Sequence, residues 1–111
     1  MIEKTLAKRY AAALLSVSQK ENTLDETGGL LQALHDAYEQ NPLLRATFQH
    51  PKLSKAKRKA LIRKPFQSNT KKFFLEFLDL LVEKNRIGIL PEISNAYNDL
   101  ADAAQGVVHV Q

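Results

Sequence analysis

Apolar residues recur along most of the chain at the three- and four-residue spacing of amphipathic helices, and local punctuation divides them into six segments. The first runs from about Thr5 to Gln19 and gives out at Lys20-Glu21-Asn22. The second opens with Thr23-Leu24-Asp25-Glu26, where Thr23 can cap the helix and Glu26 can reach back to the cap's N–H. It extends to about Gln40. Gly28-Gly29 lies inside it, and each glycine costs about 1 kcal/mol relative to alanine, so a weakened or late-starting helix is expected there. Asn41-Pro42 is a start signal for a short third helix, Leu43 to Gln49, which His50-Pro51 ends. Ser54 caps a fourth that reaches Arg63. The fifth spans Ser68-Asn69 to Lys84-Asn85, where asparagine tolerates a left-handed terminus. The sixth begins near Ile87, carries Pro91 in its first turn and ends at about Ala104. Gly106 stops it, and Val107 to Val110 reads as a lone strand.

The helices differ in how much apolar surface they carry. In the second, Leu24, Leu30, Leu31, Leu34 and Tyr38 form one stripe, and in the sixth so do Ile89, Leu90, Ile93, Tyr97 and Leu100. A single core satisfies each. The first helix has two adjacent stripes, Leu6, Tyr10, Ala13 and Val17 beside Ala7, Ala11, Leu14 and Leu15. Together they cover roughly 200° of its surface. In the fifth, Phe73 to Val82 is apolar over roughly 220°, leaving Lys72, Glu76, Asp79 and Glu83 as a polar strip. A helix apolar over more than half its surface is either central to a bundle or has a second partner. A wheel does not separate the two.

Composition adds limits. The 111 residues suit one domain, and abundant alanine and leucine with only four glycines and four prolines favours an all-α fold, a six-helix bundle. The absence of cysteine excludes disulfides and thiolate chemistry. No apolar run approaches the roughly 20 residues that span a bilayer, so a soluble protein is expected. The net charge of +4 is uneven: residues 52–72 hold nine Lys or Arg and no acid.

Several short motifs, in order and at consistent separations, resemble one family. Ala7-Lys8-Arg9-Tyr10-Ala11-Ala12-Ala13-Leu14 is similar to its opening signature, and Asn41-Pro42-Leu43-Leu44 to the start of its third helix. Phe73 to Val82, Asn85-Arg86-Ile87 and Leu90-Pro91-Glu92-Ile93 resemble its later run, turn and helix start. Asn85 stands where the family usually has glycine. The chain is thereby identified as resembling the N-terminal domain of the ATP synthase delta subunit, whose mitochondrial counterpart is the oligomycin-sensitivity-conferring protein.

The resemblance implies a non-catalytic stator subunit in the peripheral stalk of a proton-transporting F-type ATP synthase, supporting ATP synthesis. It implies a bundle domain over residues 1–105, with 106–111 leading into an absent C-terminal domain that would meet the stalk's b subunits. It implies that the first and fifth helices form a groove for the N-terminal helix of an alpha subunit. The floor would be Leu6, Tyr10, Ala13, Val17, Phe77, Leu80 and Leu81, with Lys84 at the rim. The location would be the cytoplasmic face of a bacterial plasma membrane, associated only through the complex, with a monomer when isolated. No cofactor or metal is expected.

The rival from another class is a basic helical nucleic-acid-binding module built on Lys52, Lys55, Lys57, Arg58, Lys59, Arg63 and Lys64. These cations surround most of the fourth helix and lack interleaved aromatics until Phe66, so a solvated face is expected instead. Catalysis finds no support: His35, His50 and His109 are scattered at no metal-ligand spacing, and Glu76, Asp79 and Glu83 share the solvent strip of the fifth helix.

Overall fold

A computed structural model describes residues 2–66 and 69–106 of the chain. All regular structure among them is helical: α1 (Ile2–Lys20), α2 (Leu24–Gln40), α3 (Pro42–Phe48), α4 (Lys55–Arg63), α5 (Lys72–Glu83) and α6 (Leu90–Ala104), with a 3₁₀ turn at Ile87–Ile89 before α6. This is the all-α class expected. The strand expected at Val107 to Val110 lies outside the described residues, as does Ser68 at the expected start of the fifth helix.

The chain forms two compact units: residues 1–35 with 89–111, and residues 36–88. In the first, α1 packs on α6. Ala7, Ala11, Leu14 and Ser18, on one face of α1, are buried. The small side chains of Ala7, Ala11 and Ser18 let a neighbouring backbone come close. From α6 come Leu90, Ile93, Ser94 and Tyr97, all buried. The Tyr97 hydroxyl donates to the Leu24 carbonyl at 2.8 Å and lies 3.0 Å from Ser18 Oγ. Ser18 Oγ also donates to the Leu15 carbonyl at 2.9 Å. Two hydroxyl protons thus serve three contacts, tying α6 to α1 and to the start of α2.

In the second unit α4 packs on α5 and α3 on α4. Phe48, Ile62, Phe74, Leu78, Leu81 and Val82 are buried, and the rings of Phe66 and Phe74 meet edge to face at 5.4 Å.

The caps show why the helices stop where they do. Asn41 Oδ1 accepts from Leu44 N–H at 3.1 Å, and Ser54 Oγ from Lys57 N–H at 3.2 Å, two of the three N-caps expected. α1 and α5 end alike. Asn22 and Asn85 both have φ of 56°, and in each case the following N–H reaches back five residues, Thr23 to Ser18 at 2.8 Å and Arg86 to Leu81 at 2.7 Å. That is the Schellman closure, with asparagine in glycine's usual place.

Two expectations are corrected. α2 runs unbroken through Gly28-Gly29. The physical reason is packing: a Cβ at Gly28 would lie 3.3 Å from Tyr97 Cε1, so glycine admits the ring. The fifth helix begins at Lys72 rather than Ser68-Asn69, and Lys71, its cap, makes no side-chain capping bond.

Candidate functional site

The two stripes of α1 have different environments. The Ala7, Ala11, Leu14 stripe is core. The other, Leu6, Tyr10, Ala13 and Val17, stays accessible: Leu6 and Tyr10 are half-buried, Ala13 is exposed, and Val17 is 38% exposed. At i, i+4, i+7 and i+11 these four lie on one helical face. Their apolar surface is the kind that a second amphipathic helix covers.

The candidates on α5 divide differently. Leu80 is 42% exposed and Lys84, at the helix C-terminus, is exposed. Leu81, at 0%, and Phe77, at 8%, are core residues. Their position on the wheel is adjacent to Leu80, which is why sequence pattern alone grouped the three. As placed, Leu81 has no surface to offer a partner.

The polar strip of α5 is occupied from within its own unit. Lys59 Nζ meets Glu83 Oε2 at 2.9 Å, and Lys55 Nζ donates to the Glu83 carbonyl at 2.9 Å, with its Oε1 at 3.8 Å. Arg63 engages Asp79 with two nitrogens, Nε to Oδ1 at 3.1 Å and Nη2 to Oδ2. Lys55, Lys59 and Arg63 recur every four residues on α4, as Asp79 and Glu83 do on antiparallel α5, so one row of cations runs along one row of acids. The flanking ammonium groups, Lys59 foremost, hold the Glu83 carboxyl below its ordinary 4.5.

These pairings change the picture of the basic segment. Of its seven candidate phosphate contacts, Lys55, Lys59 and Arg63 face acids, and Arg58 is buried at 8% exposure. Lys52, Lys57 and Lys64 remain exposed. A duplex-binding surface needs a row of exposed, unpaired cations; three of the seven are paired with acids and a fourth is buried. The sequence signal that could have found this was the shared four-residue spacing of the two charge rows.

Among the described residues no group of three or more His, Cys, Asp or Glu could hold a metal ion, and no helix is long and apolar enough to cross a membrane. Tyr97 titrates above its ordinary 10.0 because burial disfavours the phenolate, with the charge of Asp25 adding to the effect. Its bonds to Ser18 and Leu24 hold helices together.

The family model for the ATP synthase delta (OSCP) subunit matches residues 6–111. The chain is 34% identical over 107 residues to an ATP synthase subunit delta of Anoxybacillus flavithermus, covering 96% of this chain and 60% of that protein. It is 31% identical over 111 residues to the subunit of the same name from Symbiobacterium thermophilum, covering 100% and 60%. With that of Lysinibacillus sphaericus the identity is 36% over 106 residues, covering 96% and 59%. The chain therefore spans about three-fifths of the length of these relatives.

Proposed function

The chain belongs to the ATP synthase delta (OSCP) subunit family, and from that premise we propose that it is a non-catalytic stator element of a proton-driven ATP synthase. In this role it docks on the catalytic head by binding the N-terminal helix of an alpha subunit. The observation that carries the reading is the accessible apolar stripe of α1, Leu6, Tyr10, Ala13 and Val17, which is left over after the other stripe has been used for the core. Leu80 and Lys84 of α5 are assigned as further contacts with the same partner. Phe77 and Leu81 support Leu80 from within the core and do not touch the partner.

The mechanism is mechanical. The head must resist the torque of the rotor, and a clamped helix transmits load through buried area. Each fully buried Leu, Val or Phe contributes about 1.5–3 kcal/mol, offset in part by the ordering of the partner helix. Ala13, midway along the stripe, lets a partner backbone approach where a larger residue would hold it off. Lys84 can pair with an acid on that helix. In the same reading the link to the stalk's b subunits is made by the portion of the relatives' length that this chain does not span, and membrane association is indirect, at the cytoplasmic face.

The test is an NMR titration of the ¹⁵N-labelled chain with a peptide of about 20 residues from the alpha-subunit N-terminus of the same source. Saturable shifts on the α1 stripe and around Leu80 are expected. Leu80→Asp should abolish binding with helical circular dichroism retained, because Leu80 is largely outside the core. A folded domain that shows no shifts with the soluble peptide overturns the docking role.

A further inference from the structure

Arg58 is the one charged residue among the described residues that is buried. It lies on the inward face of α4 with Ile62, one turn on. Its Nε is fully enclosed and has no hydrogen-bond partner among the described residues, and its guanidinium forms none of the ion pairs that engage Lys55, Lys59 and Arg63. Buried guanidinium groups are ordinarily paired, because the planar fork of five donors cannot shed its charge. Here the acids that could serve, Asp79 and Glu83, are taken by the neighbouring cations.

Arg58 instead lines a cavity of about 160 Å³ together with Gln49, Asn85, Ile87 and Gly88. The walls are otherwise uncharged. Gln49 supplies an amide whose Nε2 donates to the Tyr38 hydroxyl. Its Oε1 lies 3.4 Å from where a Gly88 Cβ would stand, which places the Gln49 amide against the Gly88 backbone. Asn85 is held in the left-handed turn that closes α5. The volume falls below the roughly 300 Å³ at which cofactor-sized pockets begin, yet it admits one carboxylate or phosphate group.

We propose that this cavity is an oxyanion site, in which Arg58 receives a single carboxylate or phosphate group through its guanidinium. The chemistry common to both ligands is a pair of coplanar oxygens presented to two N–H donors. A carboxylate would come from an acidic side chain inserted by a bound polypeptide, and a phosphate from the free anion in solution. The site shares no residue with the stripe of α1 and does not depend on the docking role.

The experiment uses the intact 111-residue chain with ¹⁵N-labelled arginine side chains, titrated with sodium acetate and, in a second series, with sodium phosphate, chloride being adjusted to hold ionic strength constant. A saturable shift of the Arg58 Nε–Hε signal, accompanied by the Gly88 amide, is expected with at least one anion, while exposed Arg9 does not saturate. Arg58→Lys should weaken that affinity about tenfold, the worth of one charge-assisted hydrogen bond. Saturation by acetate alone identifies the site as one for a partner's carboxylate, and saturation by phosphate alone as one for the free anion. Shifts that rise linearly, or that Arg9 shares, overturn the proposal. So does an Arg58→Lys protein whose affinity is unchanged. If the lysine variant fails to fold, the wild-type saturation against the Arg9 control decides by itself.

Discussion

The two units solve the same problem with different chemistry. Every buried polar side chain of the first carries a hydroxyl: Ser18, Thr23, Thr27 and Ser94, with Tyr97 beside them. The second buries a guanidinium, Arg58, and lines the contact of α4 with α5 with ions. Hydroxyls are neutral across the physiological range and their bonds ignore salt. Ion pairs at partly exposed positions are screened, and acid dissolves them. One helical architecture thus contains a part indifferent to ionic conditions and a part that responds to them. That difference is measurable by hydrogen exchange resolved along the chain.

The largest expected effect breaks the second unit at its core. Leu81→Ala should cost about 2–5 kcal/mol in denaturant unfolding, the usual range for a fully buried leucine. Leu80→Ala, one residue away, should cost clearly less, about 1 kcal/mol, because its residue keeps 42% of its surface exposed. Equal effects would mean that the division of α5 into core and surface is misplaced.

Next comes the hydroxyl cluster. Tyr97→Phe should destabilise by about 1–3 kcal/mol, since it removes the buried hydroxyl that bonds the Leu24 carbonyl and Ser18 Oγ. This variant also sharpens the contrast in pH response. Burial raises the tyrosine's folded pKa above its ordinary 10.0. The unfolded chain therefore ionises first, and the stabilisation is complete below pH 10 and fades as pH climbs through the folded value. Alkaline melting of the phenylalanine variant should lack that loss.

A smaller gain is expected at α2. Gly29→Ala meets nothing within 4 Å and should stabilise by about 0.5–1 kcal/mol, read as a raised melting temperature. Gly28→Ala should gain less, because its Cβ must push the Tyr97 ring aside.

The smallest effect belongs to Glu83. Its carboxyl is held below 4.5 by Lys59 and Lys55, so its contribution is present above the unfolded value and lost as pH falls through the lowered one. Because the pair is exposed, the effect should appear only as faster amide exchange at the C-terminal end of α5 in acid, and as the same change in high salt. Glu83→Gln should remove both responses.

Much of this was legible in the chain itself. Asn41-Pro42, Ser54 and Asn85 act locally, through bonds to residues three to five positions away, and the structure uses them as the pattern suggests. What escaped were effects that join distant segments. The cost of Gly28 is real for an isolated helix, but a tyrosine 69 positions later fills the space it leaves. The acids of α5 read as a solvent strip when that helix is taken alone, and become partners only when α4 is laid beside it. The stripes of α1 were visible as a pair, yet which one is interior depends on where α6 lies. Leu80 and Leu81 were inseparable for the same reason.

The first unit is discontinuous, and this has a consequence for the chain's birth. α1 emerges from the ribosome some 70 residues before α6, the helix that covers its alanine face, an interval of roughly 4 to 14 seconds at ordinary rates of synthesis. The unit spanning 36–88 is contiguous and can close during that wait. Throughout it the α1 nascent segment has both apolar stripes uncovered. It is there, before α6 arrives, that a chaperone would find its binding sequence, and a ribosome stalled between α5 and α6 would leave a product prone to aggregate.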